Sequence, residues 1–381
     1  MKSIAISVLI LFISNLWCQE KSSAHEQAMV VSEYVFINSP LFKSCHSASV
    51  VELSNGELLC TFFAGSREAA PDVEIYITRK PINGKWTKPV SVADGVEPDG
   101  DRKATGNPVL FMNKNEKLFL LYKVIKDKQF QGRLKTSMDG GSTWSSAQKL
   151  DAPLLGAIKN KPIRLNDGTI LSPSSTEDEH GWRVHIERST DEGESWKHIG
   201  PLNPEAKIGA IQPTLLVHSD DRIQLLARTR SESKFIAESW SNDGGLTWSA
   251  LGASNLPNNN SGLDGITLKN GRHLLVYNHS TRNQEGMGHK GRGILNVALS
   301  NNGKDWSASA ILEYLNEPGK QFSYPSVIQT EDGLVHIVYT WHRDRIKHVV
   351  LDPSKLAEQA IIEGKWPQEG KLSLKAFKKN R

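Results

Sequence analysis

A chain of 381 residues with 38% apolar and 23% charged residues has the composition of a folded globular protein. Its formal charge of +4 is too small for the length to argue for nucleic acid as a partner, and is compatible with anionic glycans. Beyond the first residues, no apolar run approaches the roughly 20 residues that a membrane-spanning helix needs.

The N-terminus, MKSIAISVLILFISNLWCQE, places one lysine before an apolar run and a plausible cleavage point near Cys18, which is the layout of a secretory signal peptide over residues 1–18. Export to the periplasm, the cell surface or the medium is expected. Leu16 and Trp17 are not the small residues that a lipid-attachment site prefers, so no lipoprotein anchor is expected.

MVVSEYVFI, from Met29, reads as a strand without an adjacent partner. Six hairpin patterns follow: HSASVVELSNGELLCTFF from His46, NPVLFMNKNEKLFLLYK from Asn107, NKPIRLNDGTILSPSS from Asn160, QPTLLVHSDDRIQLLAR from Gln212, LDGITLKNGRHLLVYN from Leu263 and YPSVIQTEDGLVHIVYT from Tyr324. Each is an apolar run, a polar turn such as Asn-Gly or Asp-Gly, and a second apolar run, the sequence form of a β-hairpin. In the first, Cys45 and Cys60 fall on opposite strands with Cys60 facing the neighbourhood of Val51. Two buried free thiols are expected, although a disulfide is sterically open to them.

Between the hairpins runs a second repeat, Ser-x-Asp-x-Gly-x-x-Trp: SMDGGSTW from Ser137, STDEGESW from Ser189, SNDGGLTW from Ser241 and the worn SNNGKDWS from Ser300. Asp139, Asp191 and Asp243 are each 52 residues apart, the length of one small sheet. A strand leads into each box and another follows it, giving four strands per repeat. The predicted fold is all-β, a six-bladed β-propeller of four-stranded antiparallel blades over residues 29–352, with the strand from Met29 completing the last blade. Residues 353–381 are expected to form a short, partly helical tail outside the ring. The boxes need no chemical role: Asp accepts backbone N–H groups, Gly supplies positive φ, and Trp buries area.

The boxes and hairpins resemble the sialidase (neuraminidase) superfamily with bacterial neuraminidase, or Asp-box, repeats. The resemblance implies a grip of three arginines on a substrate carboxylate, a catalytic tyrosine with a partner glutamate, and an acid/base carboxylate in the first blade. Aligned on the turn at Asn55-Gly56, it puts His46 in place of the first arginine, and Arg228 and Arg292 in place of the other two. Tyr324, in SYPSV, falls where the tyrosine belongs, while Gln212 replaces its glutamate; a neutral amide cannot take the tyrosine's proton. Glu68 and Asp72, in AGSREAAPDVEIY, both fall near the acid/base position.

In a propeller the innermost strands line an axial channel, so His46, Asn107, Lys159, Gln212, Asp264 and Tyr324 are expected to converge on one mouth, with Lys161 close by. Asn258 to Asn260 form a turn-rich loop whose amides suit sugar hydroxyls. His342 and His348, in WHRDRIKH, would be separated by a turn near Asp344, and no metal or other cofactor is expected. Three functions fit these residues. In hydrolysis of a terminal acidic sugar, Tyr324 or water attacks while Glu68 or Asp72 protonates the leaving oxygen. In elimination from a uronate-containing glycan, His46 or Tyr324 removes the α-proton. The third is glycan binding without catalysis.

Overall fold

The computed structural model describes residues 28–37, 41–126, 129–205 and 207–367. The segment read as a signal peptide, and the last residues of the expected tail, lie outside the described residues.

Six sheets follow one another around a ring. Blade one consists of Ser44–Glu52, Leu58–Gly65, Glu74–Lys80 and Val90–Ala93, paired antiparallel in that order. The innermost strands of blades two to six are Thr105–Met112, Ile163–Arg164, Ala210–Val217, Asp264–Thr267 and Phe322–Gln329. The predicted six-bladed, four-stranded propeller is therefore the observed architecture. Its core is a set of apolar layers between blades, such as Leu59, Phe63 and Ile75 of blade one against Leu110, Leu118 and Leu120 of blade two.

The strand Met29–Tyr34 pairs antiparallel with Arg345–Leu351 and supplies the outer strand of blade six, which joins the two ends of the chain in one sheet. Glu33 on this strand gathers partners from two blades. Its carboxylate accepts Trp86 Nε1 at 3.1 Å and lies 3.2 Å from Lys80 Nζ, both in blade one. His348 Nδ1 of blade six lies 3.0 Å from it, and His348 Nε2 lies 3.0 Å from His336 Nδ1. Burial holds both imidazoles below their ordinary range, so His336 donates to His348 and His348 to Glu33.

At the other end, a single 3₁₀ turn at Pro353–Lys355 leads into a short strand, Gln359–Ala360, that adds a fifth strand to blade five. Leu356 and Trp366 pack into the blade, so residues 353–367 are part of the folded body rather than a tail outside it.

Each box is a turn, as expected, and also a joint. Asp139 accepts the N–H groups of Ser142 and Thr143 at 3.0 and 2.9 Å and the Ser137 hydroxyl at 2.7 Å. A Cβ on Gly141 would stand 2.8 Å from Leu59 of blade one, one on Gly193 3.1 Å from Phe119 of blade two, and one on Gly245 2.7 Å from Leu171 of blade three. Each box glycine thus seats the turn against the second strand of the preceding blade. Cys45 and Cys60 are buried free thiols, and Cys60 pairs in register with Val50, one residue from the expected Val51.

The inner strands share an irregularity that matters for the site. The pairing shifts between His46 and Ser49, Gly106 and Val109, Ile211 and Thr214, and Ser323 and Ser326. Inside each shift one residue has positive φ: Ser47 (55°), Asn107 (47°), Gln212 (55°) and Tyr324 (55°); Lys159 (74°) precedes the inner strand of blade three. These are β-bulges, which re-aim a side chain out of the pleat.

Glu33→Ala should lower stability by about 1–3 kcal/mol, because it strips the partner from the buried His348 and from Trp86; urea unfolding followed by tryptophan fluorescence measures it. Stability should also fall with acid above the ordinary carboxylate range, four histidines outweighing the opposite contribution of Glu187, which burial pushes up to about 7. Burial pushes His185, His273, His279 and His336 down to about 4 from 6.5. The unfolded chain therefore binds more protons in that window, and the contribution present above pH 6.5 is lost as the pH falls toward 4. Urea midpoints between about pH 7 and pH 4.5 should decline steadily; a flat profile would contradict neutral buried histidines.

Candidate active site

The bulges bring Tyr324, Gln212 and Asn107 to one mouth of the channel, where they line a cavity of about 250 Å³ with Glu68 and Arg228. The Tyr324 hydroxyl oxygen accepts a short hydrogen bond from Arg228 Nη1 and another from Gln212 Nε2 at 3.3 Å. Arg228 Nη1 also donates to Gln212 Oε1 at 3.0 Å, which fixes the amide's orientation. Gly262 makes this crowding possible: a Cβ there would stand 3.1 Å from Lys159 Cε, 3.4 Å from Gln212 Oε1 and 3.5 Å from the Tyr324 ring.

His46 does not line this cavity. The bulge residue of blade one is Ser47, so His46 is offset by one position from Asn107, Gln212 and Tyr324. With 1% of its surface exposed, it lies behind Tyr324, ring centroids 4.1 Å apart. Arg343 Nη2 can only donate, and lies 3.3 Å from His46 Nε2, so the imidazole proton sits on Nδ1 and is given to Thr340 Oγ1 at 2.8 Å. Burial, and then the nearby guanidinium of Arg343, holds this histidine well below its ordinary range and neutral.

A second cavity, of about 350 Å³, adjoins the first at Arg228 and is lined by Arg292, Arg343, Arg282, Lys290 and Gln321. Four guanidiniums, those of Arg228, Arg282, Arg292 and Arg343 from blades four, five and six, thus face one space. Arg228 Nε donates to Asn260 Oδ1 at 2.7 Å, and Arg292 Nη2 donates to the Asn260 carbonyl at 2.6 Å. Asn259 in turn donates to Ser280 Oγ and to the Gly291 carbonyl. The Asn258–Asn260 loop thus holds the arginines in place, and Asn260 itself lines this cavity. Arg292 Nε is buried with no partner among the described residues. Burial and the charge of Arg228 push Arg292 down to about 10, the mark of cations crowded together without a full complement of counter-ions.

Sequence reasoning assigned no role to Arg343. It sits at the turn after the second strand of the last blade, His342 and Arg343 both at positive φ (55° and 64°), and its carbonyl accepts Cys45 N of blade one at 2.8 Å. Lys123 and Glu177, near the ends of the second strands of blades two and three, were also not singled out, and both line the 250 Å³ cavity. The signal was positional: polar residues closing apolar second strands ring the mouth. Lys123 is largely buried, its Nζ 3.4 Å from the centroid of Phe130. Burial pushes it down to about 8, with Glu177 and then Glu68 acting in the opposite sense.

The two carboxylates that the sequence left equivalent are separated by their surroundings. Glu68 lines the cavity and pairs with Arg343 at 2.6 Å. Asp72 turns to its own loop, accepting Ser66 N at 2.9 Å and Ser66 Oγ at 2.8 Å, and lines neither cavity.

Lys159, Lys161 and Asp264 form a knot in the channel and line neither cavity. Lys159 Nζ donates to Asn160 Oδ1 at 2.8 Å and to the carbonyls of Leu263 and Pro325, which fills its three donors. Asp264, fully buried, accepts Lys161 Nζ at 2.9 Å, Thr214 Oγ1 at 2.8 Å and Val327 N at 2.9 Å. These residues join blades three to six, contrary to the expectation that they meet substrate. His342 and His348 part company as the turn near Asp344 implies: His342 Nδ1 lies 3.2 Å from the Gln321 carbonyl, and His348 faces Glu33.

The family model of the BNR repeat-like domain matches residues 56–337. Among solved structures, the chain is similar to the Hadza microbial sialidase Hz136, with 17% identity over 86% of this chain and 69% of that one and a TM-score of 0.70. It is also similar to a protein of unknown function from Dyadobacter fermentans (16% identity, 85% and 98% covered, TM-score 0.66) and to the α-L-arabinanase of Penicillium chrysogenum complexed with arabinobiose (17%, 86% and 99%, TM-score 0.61). At these identities the likeness shows the fold. None of the curated proteins compared matches the chain.

The setting of Lys123 gives a direct test. After reductive ¹³C-methylation, one dimethyl-lysine resonance should titrate near pH 8, and Lys123→Met should remove it; titration of every resonance near the ordinary lysine value of 10.5 would contradict that environment.

Proposed function

The chain belongs to the BNR repeat-like domain family, and from that premise we propose that it is an exported, sialidase-like glycosidase that releases a terminal carboxylate-bearing sugar. The observation that carries this reading is the convergence of Arg228, Arg292 and Arg343 on a cavity adjoining Tyr324 and Glu68. Guanidiniums bind carboxylates through paired, charge-assisted hydrogen bonds. A bound carboxylate would also relieve the mutual repulsion of the three cations. Export rests on the N-terminal apolar run, and glycoside chemistry is supported by sialidase and arabinanase neighbours of the same fold.

In this mechanism the substrate carboxylate occupies the arginines and displaces Glu68 from Arg343. Glu68, once protonated, gives its proton to the glycosidic oxygen as the bond from that oxygen to the anomeric carbon breaks. The oxygen of Tyr324 or of a water attacks the anomeric carbon and its proton passes to solvent. If tyrosine attacks, water then hydrolyses the sugar–enzyme bond, giving one proton to Glu68 while the released phenolate is reprotonated from solvent; if water attacks directly, Glu68 regains its proton from solvent. The net change is addition of one water, giving the free sugar acid and a new hydroxyl on the chain it left. Gln212 cannot accept the phenol's proton; with Arg228 it orients the phenol oxygen. His46 supports the Tyr324 ring from behind.

The elimination reading needs a base at the α-carbon. It gains less support, because His46, one of the two bases that reading offers, is buried against the Tyr324 ring and lines neither cavity.

Incubation with aryl glycosides of sialic, glucuronic and galacturonic acids, with products read by mass spectrometry, tests the proposal. One of them should yield the free sugar acid. Glu68→Gln should lower kcat on a substrate with a poor leaving group by about 10²–10⁴-fold. Arg343→Ala should weaken binding of the free sugar acid by about 10-fold or more. A product lighter by one water, with an unsaturated end, would replace hydrolysis by elimination; binding without any product would replace catalysis by glycan recognition.

A further inference from the structure

The arginine pocket holds more positive charge than one carboxylate answers. Besides Arg228, Arg292 and Arg343, its 350 Å³ are lined by Arg282, His289 and Lys290, and no carboxylate lines it. A carboxylate offers roughly four lone-pair sites, which three guanidinium forks already fill. Arg282, His289 and Lys290 are therefore surplus to the grip on the sugar acid.

We infer that the pocket takes two anionic groups at once, the terminal sugar carrying a sulfate or phosphate ester beside its carboxylate, with the ester against Arg282, His289 and Lys290. The inference rests on the reading above that Arg228, Arg292 and Arg343 take the carboxylate. Three observations support it.

The first is the sign of the surroundings. His289 is held below its ordinary range by burial and then by Lys290, Arg292, Arg282 and Arg343, all of them cations. Arg292 is held down by burial and by Arg228 ahead of the opposing pull of Tyr324, and its Nε is buried without a partner among the described residues. With Arg228, Arg282, Arg292, Arg343 and Lys290 on one lining, a single negative charge leaves most of the repulsion in place.

The second is the kind of donor. A guanidinium fork matches the two coplanar oxygens of a carboxylate, whereas an ammonium is a point charge and a neutral imidazole donates one N–H. Arg282, His289 and Lys290 together make a mixed set of donors. Such a set suits the three terminal oxygens of a tetrahedral ester, which accept from different directions. Both groups share one cavity, so they belong to one sugar unit.

The third is that the surplus donors sit on a loop fixed in advance. Arg282, His289 and Lys290 lie between His273–Tyr277 and Ile294–Ser300, the second and third strands of blade five. Gly293 N donates to the Met287 carbonyl and Leu315 N to the Gly293 carbonyl, both at 2.7 Å, and the Tyr314 hydroxyl donates to the Gly286 carbonyl at 3.1 Å. A Cβ on Gly288 would stand 2.6 Å from Gly293 Cα, and one on Gly291 2.5 Å from the Thr281 carbonyl oxygen, so the loop folds closely on itself. Lys290 holds a positive φ of 54°, a costly conformation for a residue with a side chain. Donors placed before binding lose little freedom when the anion arrives.

Titration calorimetry tests the inference with matched pairs: glucuronic acid against its 2- and 3-sulfates, and N-acetylneuraminic acid against its 9-phosphate. Inorganic sulfate and phosphate are titrated alongside. The proteins are wild type, Arg343→Ala and an Arg282→Ala/Lys290→Ala double variant whose urea midpoint is checked against wild type. At least one ester should bind wild type about 10-fold or more tighter than its parent acid. That ratio should return toward one in the double variant, while Arg343→Ala should weaken parent and ester together. Gain from the sulfates or from the phosphate identifies which ester the pocket takes. Esters that bind wild type no tighter than their parents would overturn the second subsite and leave the carboxylate reading intact. So would a double variant that weakens both members of a pair by the same factor, since general attraction of anions acts on both. Parent acids that fail to bind, with inorganic sulfate or phosphate bound to wild type and lost in the double variant, would remove the carboxylate reading and retain the oxyanion subsite.

Discussion

A bulge at the head of the inner strand is the constraint on which the site depends. In a regular strand, side chains alternate between the faces of the blade, and both faces are buried against neighbouring blades. A polar side chain there would be lost in an apolar layer. The register shifts at Asn107, Gln212 and Tyr324, each with one residue at positive φ, free one side chain in each of blades two, four and six from that alternation and deliver it to the mouth. A non-glycine residue in that conformation is costly, of order 1–3 kcal/mol. The surrounding ring sustains it, since each inner strand is clamped between two others.

Charge is then divided along the axis. Within the channel, Lys159, Lys161 and Asp264 satisfy one another and the backbone of blades three to six, a paired network that joins blades without reaching substrate. At the mouth the pairing is left incomplete. Arg228, Arg292 and Arg343 have neutral partners in Asn260 and Gln321 and one exposed carboxylate, Glu68. The same chemistry of cation and acceptor serves cohesion where it is complete and recognition where it is not.

Around this centre the remaining features are supports. The three intact boxes seat their turns on the preceding blade through a glycine that admits a leucine or phenylalanine. The strand from Met29 joins the ends of the chain, with Glu33 at the centre of a contact between blades one and six. The segment after Pro353 braces blade five from outside. None of these touches the cavities, yet each limits how far neighbouring blades can part, and so how far the arginines can.

The repeated boxes and the six hairpins determined the propeller, because turn chemistry and apolar alternation are local and recur at a fixed spacing. The closing strand was legible by elimination, and Tyr324, Gln212 and Asn107 from their places in the repeats, whereas Arg228, Arg292 and the pair Glu68 and Asp72 entered only through the family resemblance. What the tertiary structure alone decided is which polar residues share a space. A one-residue bulge moved His46 behind Tyr324, and the depth of the channel turned Lys159, Lys161 and Asp264 into cohesion. A strained turn swung Arg343 from the last blade beside the first. Asp72 and Glu68, four residues apart, were separated by a hydrogen bond to Ser66 and an ion pair to Arg343. These outcomes depend on contacts between residues far apart in the chain, and local sequence pattern carries no record of them.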